Sequence, residues 1–146
     1  PMLVEYAIGA DQPSIMFSNG VTLLGYVDLV DANGVISDFK VSARPKTQAD
    51  VDQDLQLALY AYAINKNAPA VNTQLVSVSN KDGDVRKVDT WKTNADMRRA
   101  YNTLDALSSQ IVLANVEGVF VPNVEGWWCS NAYCDYWDTC EYGGNR

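Results

Sequence analysis

Apolar residues in the first 40 positions lie in short runs that end at turn-forming pairs. The runs lie around residues 2–8 and 14–18 and over residues 21–30 and 35–40. Asn19-Gly20 and Asn33-Gly34 separate the last three runs, and such pairs favour tight connections between antiparallel strands. The pattern therefore predicts an antiparallel meander over residues 1–40.

Two longer segments have the periodicity of amphipathic helices. Residues 47–66 begin with Thr47, a residue that caps helices well, and then place apolar residues at spacings of four, four and three. These are Val51, Leu55, Leu59 and Tyr62. Residues 94–115 repeat the pattern, and the positions predicted to be buried are Met97, Tyr101, Leu104, Leu107 and Ile111. Between the helices, residues 74–79 and 85–91 flank Asp82-Gly83 and predict a second hairpin.

Composition limits the kinds of chemistry that this chain can perform. Of its 146 residues, 47% are apolar and 20% are charged, as in a folded domain, so we expect one domain over residues 1–146. The formal charge is -7 and there is no histidine, which excludes Ser–His–Asp and Cys–His catalysis and His-ligated metal sites. Because there is no long apolar run and no basic leader, we expect a cytoplasmic protein without a membrane partner.

Two acids flank the Asn33-Gly34 turn. Asp28 precedes the turn, and Asp38 and Lys40 follow it on one predicted strand. A two-residue loop would place the acids on opposite faces, whereas a three-residue loop with a bulge would place them directly opposite each other, with Lys40 on the same face. In the second arrangement the pair can chelate a hard cation. Solvated surface acids are the alternative, but acids within a strand pair this apolar need a partner.

The order of these residues resembles the PD-(D/E)XK nuclease superfamily, in its RecB-like exonuclease branch. Residues 25–28 match the branch's glycine-hydrophobic-hydrophobic-acid motif, and residues 38–40 match its acid-x-Lys strand. Gln56 and Tyr60 match a Gln-x-x-x-Tyr motif, and a spacing of four places them on one helical face. The resemblance therefore implies an α/β, restriction-endonuclease-like core with a mixed, mainly antiparallel sheet flanked by two helices.

The resemblance also implies a reaction and its participants. Asp28, Asp38, Lys40, Gln56 and Tyr60 would form the catalytic set. Asp28 and Asp38 would bind Mg²⁺ or Mn²⁺, with Glu5 as a further candidate ligand, and Lys40 would position the attacking water. The implied function is a DNA exonuclease of phage or bacterial recombination or repair, with a helicase or recombination protein as partner. A catalytically inactive nuclease-fold module that binds DNA or serves as a scaffold is the alternative.

Two basic residues lie between the acid-x-Lys strand and the first predicted helix. Arg44 and Lys46 would contact DNA phosphates if this loop lies on the active-site side. A solvated loop explains the same two charges equally well.

Residues 118–146 form an aromatic, cysteine-rich tail without clear periodicity, which we expect to be irregular and packed on the core. Cys129, Cys134 and Cys140 are too few for a four-ligand cluster or a structural zinc site. The tail is similar to that of iron–sulfur members of the same branch, such as AddB-type helicase–nucleases and CRISPR adaptation nucleases, in which a fourth cysteine lies upstream. The resemblance implies a [4Fe-4S] cluster in the intact protein.

The chain begins at Pro1 and enters a strand-like run at once. We therefore expect an N-terminally truncated fragment in which the cluster is absent. Three reduced thiols packed as small apolar groups are the alternative for the tail.

Overall fold

The computed structural model describes residues 3–9, 15–122 and 125–143. The chain divides into two compact units, Pro1–Ser109 and Gln110–Arg146. The second unit contains the last turns of a long helix and the cysteine-rich tail, whose described residues are mostly turns and bends. The strands described below all belong to the first unit.

A mixed sheet forms the centre of the first unit. The strands are β1 (Leu3–Ile8), β2 (Ile15–Met16), β3 (Thr22–Leu23), β4 (Gly25–Val30), β5 (Ile36–Ser42), β6 (Ala70–Ser79) and β7 (Val85–Thr93). The five-stranded sheet has the order β1-β4-β5-β6-β7, and β2 and β3 form a separate pair. Only β5 and β6 are parallel among these neighbours. The predicted mixed, mainly antiparallel sheet is confirmed, although β2 and β3 lie outside the meander.

The described residues form three helices: α1 (Gln48–Asp52), α2 (Leu55–Asn65) and α3 (Asn94–Glu117). The prediction of one helix over residues 47–66 is wrong, because the chain leaves the helical path at Gln53 and Asp54. Asp54 has extended backbone angles, and its carboxylate accepts a hydrogen bond from the Leu57 N–H at 2.9 Å. Aspartate is more favourable at an N-cap than in a helix interior, because at the N-cap its side chain accepts hydrogen bonds from free backbone N–H groups. No helix in the described ranges is long and apolar enough to cross a membrane.

One buried cluster joins the sheet, α2 and the beginning of α3. Its members are Ile8, Ile15, Phe17, Val27, Val30, Ile36, Ala58, Leu59, Tyr60, Ala61, Ala63, Val71, Met97 and Ala100. The predicted apolar stripe of α3 is correct only in its first half, since Leu107 and Ile111 are 45% and 60% exposed. The apolar periodicity of α3 continues past Ser109, where the first unit ends. The periodicity alone does not predict whether these later apolar residues are buried. Leu55, predicted to lie in the buried stripe of the first helix, is also exposed.

A buried lysine links β7 to the end of α1. Lys92 is 1% exposed, and its Nζ donates to the carbonyl oxygens of Val51 and Asp52 at 2.7 and 2.8 Å. The last carbonyls of a helix lack intrahelical donors, so the ammonium group supplies the missing bonds. Burial lowers the pKa of Lys92, and the nearby carboxylates of Asp54, Asp96 and Asp52 oppose that change.

We predict that Lys92→Met lowers the free energy of unfolding by about 1–3 kcal/mol, because buried carbonyls lose their donor. Urea denaturation measures the change. Lys87→Met is the matched control on the same strand, since the Lys87 side chain is 55% exposed and forms an ion pair with exposed Asp89. The control should change stability by less than about 0.5 kcal/mol. Equal effects of the two substitutions would contradict the assigned contact.

The lowered pKa of Lys92 predicts a pH dependence of stability. Between the folded-state pKa and the ordinary value of 10.5, the unfolded chain binds more protons at this residue than the folded chain does. The contribution of Lys92 to the free energy of unfolding therefore rises with pH across that window. The difference in the free energy of unfolding between wild type and Lys92→Met should widen as the pH increases toward 10.5. A series of urea titrations at different pH values measures this difference. A constant or narrowing difference would show that burial does not disfavour the charged form.

Candidate active site

The β4–β5 hairpin has the three-residue loop, one of the two alternatives that the sequence left open. The Asp31 N–H donates to the Val35 carbonyl at 3.0 Å, and the Gly34 N–H donates to the Asp31 carbonyl at 3.0 Å. Gly34 has a φ of 80°, a left-handed conformation that glycine adopts without strain. The Asp31 carboxylate also accepts from the N–H groups of Asn33 and Val35. The loop is therefore fixed by local bonds, and it sets the register of the two strands.

The two strands separate at the level of the predicted acids. Their register consists of Leu29 with Ser37 and Val30 with Ile36, and the next residue on each strand is Asp28 or Asp38. Asp28 instead uses its side chain, because its Oδ2 accepts a hydrogen bond from the Phe39 N–H at 2.8 Å. The Asp28 carboxylate of β4 thus takes the place of a main-chain carbonyl as the acceptor for an N–H group of β5. The bond fixes Asp28 next to the segment that carries Asp38.

Asp38 is a buried carboxylate with one direct cationic partner in the described part of the chain. It is 2% exposed, and the Lys40 Nζ lies 3.1 Å from its Oδ1 and 3.0 Å from its Oδ2. Burial raises the pKa of Asp38, Lys40 opposes that change, and the negative charges of Asp28 and Asp54 add to it. The site therefore holds a carboxylate in surroundings that disfavour its charge.

Lys40 connects this carboxylate to α2. Its Nζ donates to the Gln56 Oε1 at 2.8 Å, and the Gln56 Nε2 donates to the Tyr60 hydroxyl at 2.7 Å. Partial burial of Lys40 disfavours its charge, but the hydrogen bond and the charge of Asp38 outweigh it and raise the pKa of Lys40. Burial likewise raises the pKa of the Tyr60 hydroxyl. Lys40 is therefore protonated at neutral pH and Tyr60 is a neutral hydroxyl.

The break between α1 and α2 determines where Gln56 lies. Because α2 begins at Leu55, Gln56 occupies its first turn, next to the Asp54 cap. Lys92 fixes the end of α1 just before that break. Neither Asp54 nor Lys92 was predicted from the sequence, since a continuous helix places Asp54 on a helical surface. The available signal for the cap was an aspartate three residues before Leu57, because an N-cap side chain accepts a hydrogen bond from a backbone N–H in the first turn of the helix.

The remaining predicted site residues are less closely connected to this network. The side chain of Glu5 lies outside the described residues. Arg44 and Lys46 are exposed in the loop between β5 and α1, and the Ser42 hydroxyl donates to the Arg44 carbonyl at 2.8 Å. Their charges lower the pKa of Asp50, although its hydrogen bonds with Thr47 have the larger effect.

The paired acids have the oxygen donors that a divalent cation requires. Within the described ranges, no three cysteine, aspartate or glutamate side chains are grouped to hold a metal ion. Mg²⁺ nevertheless needs only one or two carboxylates, because water and substrate phosphate oxygens complete its octahedron. A cation would also stabilise the charged form of Asp38, whose raised pKa reflects burial and neighbouring carboxylates. Asp28 and Asp38 therefore fit such an ion.

The cysteines of the second unit are partly buried and free. Cys129, Cys134 and Cys140 form no disulfide in the described structure, and they are not among any metal-holding group of at least three ligands there. Backbone bonds form turns at all three of them. The N–H groups of Cys129, Cys134 and Cys140 donate to the carbonyls of Gly126, Ser130 and Tyr136, respectively. The thiols are present in local turns, and no iron–sulfur site is shown.

Comparisons with known proteins bear on the fold and the family of this chain. Eight chains of solved structures match the protein. One of them, titled "Crystal structure of SSO0001", superposes with a TM-score of 0.51 at 15% identity, which establishes similarity of fold. The match covers 98% of this chain and 61% of the solved one, so the protein spans about three-fifths of that structure's length. A search of curated proteins found no match.

A family model provides the assignment. The model of the PD-(D/E)XK nuclease superfamily matches residues 1–141. The mixed sheet and its flanking helices agree with the restriction-endonuclease-like core of that superfamily. The chain therefore belongs to the PD-(D/E)XK nuclease superfamily.

Proposed function

We propose that this nuclease-family chain hydrolyses phosphodiester bonds of DNA with the aid of Mg²⁺ or Mn²⁺. The observation that carries the proposal is the continuous contact from Asp38 through Lys40 and Gln56 to Tyr60, with Asp28 bonded to the adjacent main chain. Burying a charged group is unfavourable. A solvated surface pair would therefore not explain why Asp38 is only 2% exposed.

Asp28 and Asp38 would hold the divalent ion. When bound, such an ion lowers the pKa of a water molecule and offsets the negative charge that develops at phosphorus. Lys40, kept protonated by Asp38, would donate a hydrogen bond to the attacking water and orient it. Lys40 would not act as a general base, because its raised pKa leaves no free lone pair at neutral pH.

Gln56 and Tyr60 would position Lys40. Gln56 offers its Oε1 to the ammonium and keeps its Nε2 on Tyr60, so the amide cannot rotate without breaking one of these bonds. The position of the Lys40 ammonium group is thereby fixed by two elements, β5 and α2. Arg44 and Lys46 would contact DNA phosphates, since both are exposed in the loop that follows β5.

The biological role is proposed from the resemblance to the RecB-like branch. The protein would act as an exonuclease in phage or bacterial recombination or repair, in the cytoplasm and with a helicase or recombination partner. Cys129, Cys134 and Cys140 would supply three ligands of an iron–sulfur cluster in the intact protein. The three cysteines are partly buried, and their confinement to one short segment supports a shared role.

We predict that Asp38→Asn and Lys40→Met each reduce DNA cleavage at least about 100-fold. Asp38→Asn replaces the carboxylate with an amide of nearly the same shape. Lys40→Met removes the ammonium group but keeps most of the apolar stem. Rates are measured on end-labelled linear DNA with Mg²⁺ or Mn²⁺. Closed circular DNA in a parallel reaction distinguishes an exonuclease, which requires an end, from an endonuclease.

Asp89→Asn is the control for these substitutions, because Asp89 is an exposed carboxylate whose ion-pair partner is Lys87. It should cleave at the wild-type rate. Circular dichroism verifies that each variant is folded. Unchanged cleavage by both Asp38→Asn and Lys40→Met, or no cleavage by the wild type, would overturn the proposed function.

Metal binding should be visible without any DNA. Mn²⁺ at about 100 times its Kd should raise the free energy of unfolding by about 2.7 kcal/mol, because the ion binds only the folded chain. Asp28→Asn and Asp38→Asn should lose this stabilisation, whereas Lys40→Met should retain it, since Lys40 is not a ligand. Urea denaturation in Mn²⁺ and in EDTA measures the difference. Equal stabilisation of wild type and both Asn variants would place the ion elsewhere.

A further inference from the structure

Gly25 begins β4 at a position where the chain itself does not require glycine. Its φ is not among the positive values that the structure contains, and a Cβ added there would meet no heavy atom of the described residues within 4 Å. Gly9, by contrast, has a φ of 90° and would bring a Cβ against the Leu23 backbone. Glycine weakens a strand and often marks a place where a ligand approaches closely. None of the described residues therefore fills the space beside Gly25.

That space belongs to a cleft of about 410 Å³ next to the candidate active site. Aliphatic side chains line most of it, including Ile8, Leu59 and Leu104, and the polar part of its lining is Gln56 and Tyr60. Ile8 is the register partner of Gly25 across β1 and β4. Paired residues present their side chains on the same face of a sheet, so a side chain at position 25 would enter the cleft with Ile8.

The lining favours the uncharged part of a nucleotide over its phosphate. None of the described residues that line the cleft is charged, so a phosphate would lose its hydration there without a compensating cation from them. The Tyr60 hydroxyl accepts from Gln56 and keeps its own proton for another acceptor. A nucleobase has apolar faces for the aliphatic walls and polar atoms along its edge for this hydroxyl.

We infer that the cleft binds the nucleobase adjacent to the phosphodiester on which Asp28, Asp38 and Lys40 act. The inference rests on the proposed function and adds a subsite to it. Gln56 and Tyr60 connect the two places. Both border the cleft, Gln56 accepts from Lys40, and Tyr60 accepts from Gln56. Binding of the base would thus fix the substrate relative to the group that orients the attacking water.

Gly25→Leu tests this subsite, since it fills the cleft without backbone strain. We expect kcat/KM on linear DNA to fall roughly 10- to 100-fold, while the Tm stays equal to or above that of the wild type. Ala32→Leu adds an apolar side chain in the exposed β4–β5 loop and should leave both quantities unchanged. Gly25→Ala should give a smaller loss of kcat/KM, and it serves as the test if Gly25→Leu does not fold.

A substrate series identifies the base as the group that is bound. Oligonucleotides that carry one abasic nucleotide, moved stepwise along the strand, should be cleaved more slowly by the wild type at one position near the cut. Gly25→Leu should lose this discrimination, because its cleft no longer admits a base. Wild-type kcat/KM in folded Gly25→Leu or Gly25→Ala, or no discrimination by the wild type at any position, would overturn the subsite while leaving the proposed function intact. Absence of cleavage by the wild type on every substrate would overturn both.

Discussion

The pairing of a buried carboxylate with a single ammonium group determines how the rest of this site is built. Asp38 is almost inaccessible to solvent, and Lys40 contacts both of its oxygens. A buried charge is tolerated only when it is paired and its remaining bonds are satisfied. Lys40 must therefore remain charged and correctly placed, and Gln56 supplies the acceptor that holds it from the other side. The start of α2 is consequently as important to the site as the strand that carries the acid.

One long-range interaction and one local interaction fix that helix start. Lys92, from β7, bonds the last carbonyls of α1, and Asp54 then caps α2. Neither residue contacts Lys40 directly, yet both determine the path of the chain that leads to Gln56. Asp54 has a second effect, since its charge adds to the raised pKa of Asp38. A structural cap therefore also changes the electrostatics of the site.

Local chemistry was readable from the sequence, and competition between local and tertiary effects was not. Asn33-Gly34 predicted a turn, but this pair is compatible with two loop lengths, and the bonds to the Asp31 carboxylate are consistent with only the longer one. Apolar periodicity favoured a single helix over residues 47–66, whereas the capping preference of Asp54 divided it. A lone lysine in a strand indicates a solvent-exposed position, so the burial of Lys92 follows only from how β7 and α1 pack.

The need for a cation follows from the local charge rather than from the net charge of -7. Asp28 and Asp38 carry two negative charges, and Lys40 offsets one of them. A phosphodiester adds another negative charge when it approaches. The single positive charge of Lys40 is already balanced by Asp38, so it does not neutralise the remainder. In the proposed reaction, a divalent ion would supply the missing positive charge. Under this proposal, the carboxylates that repel DNA in the absence of the ion would also bind the ion that attracts DNA.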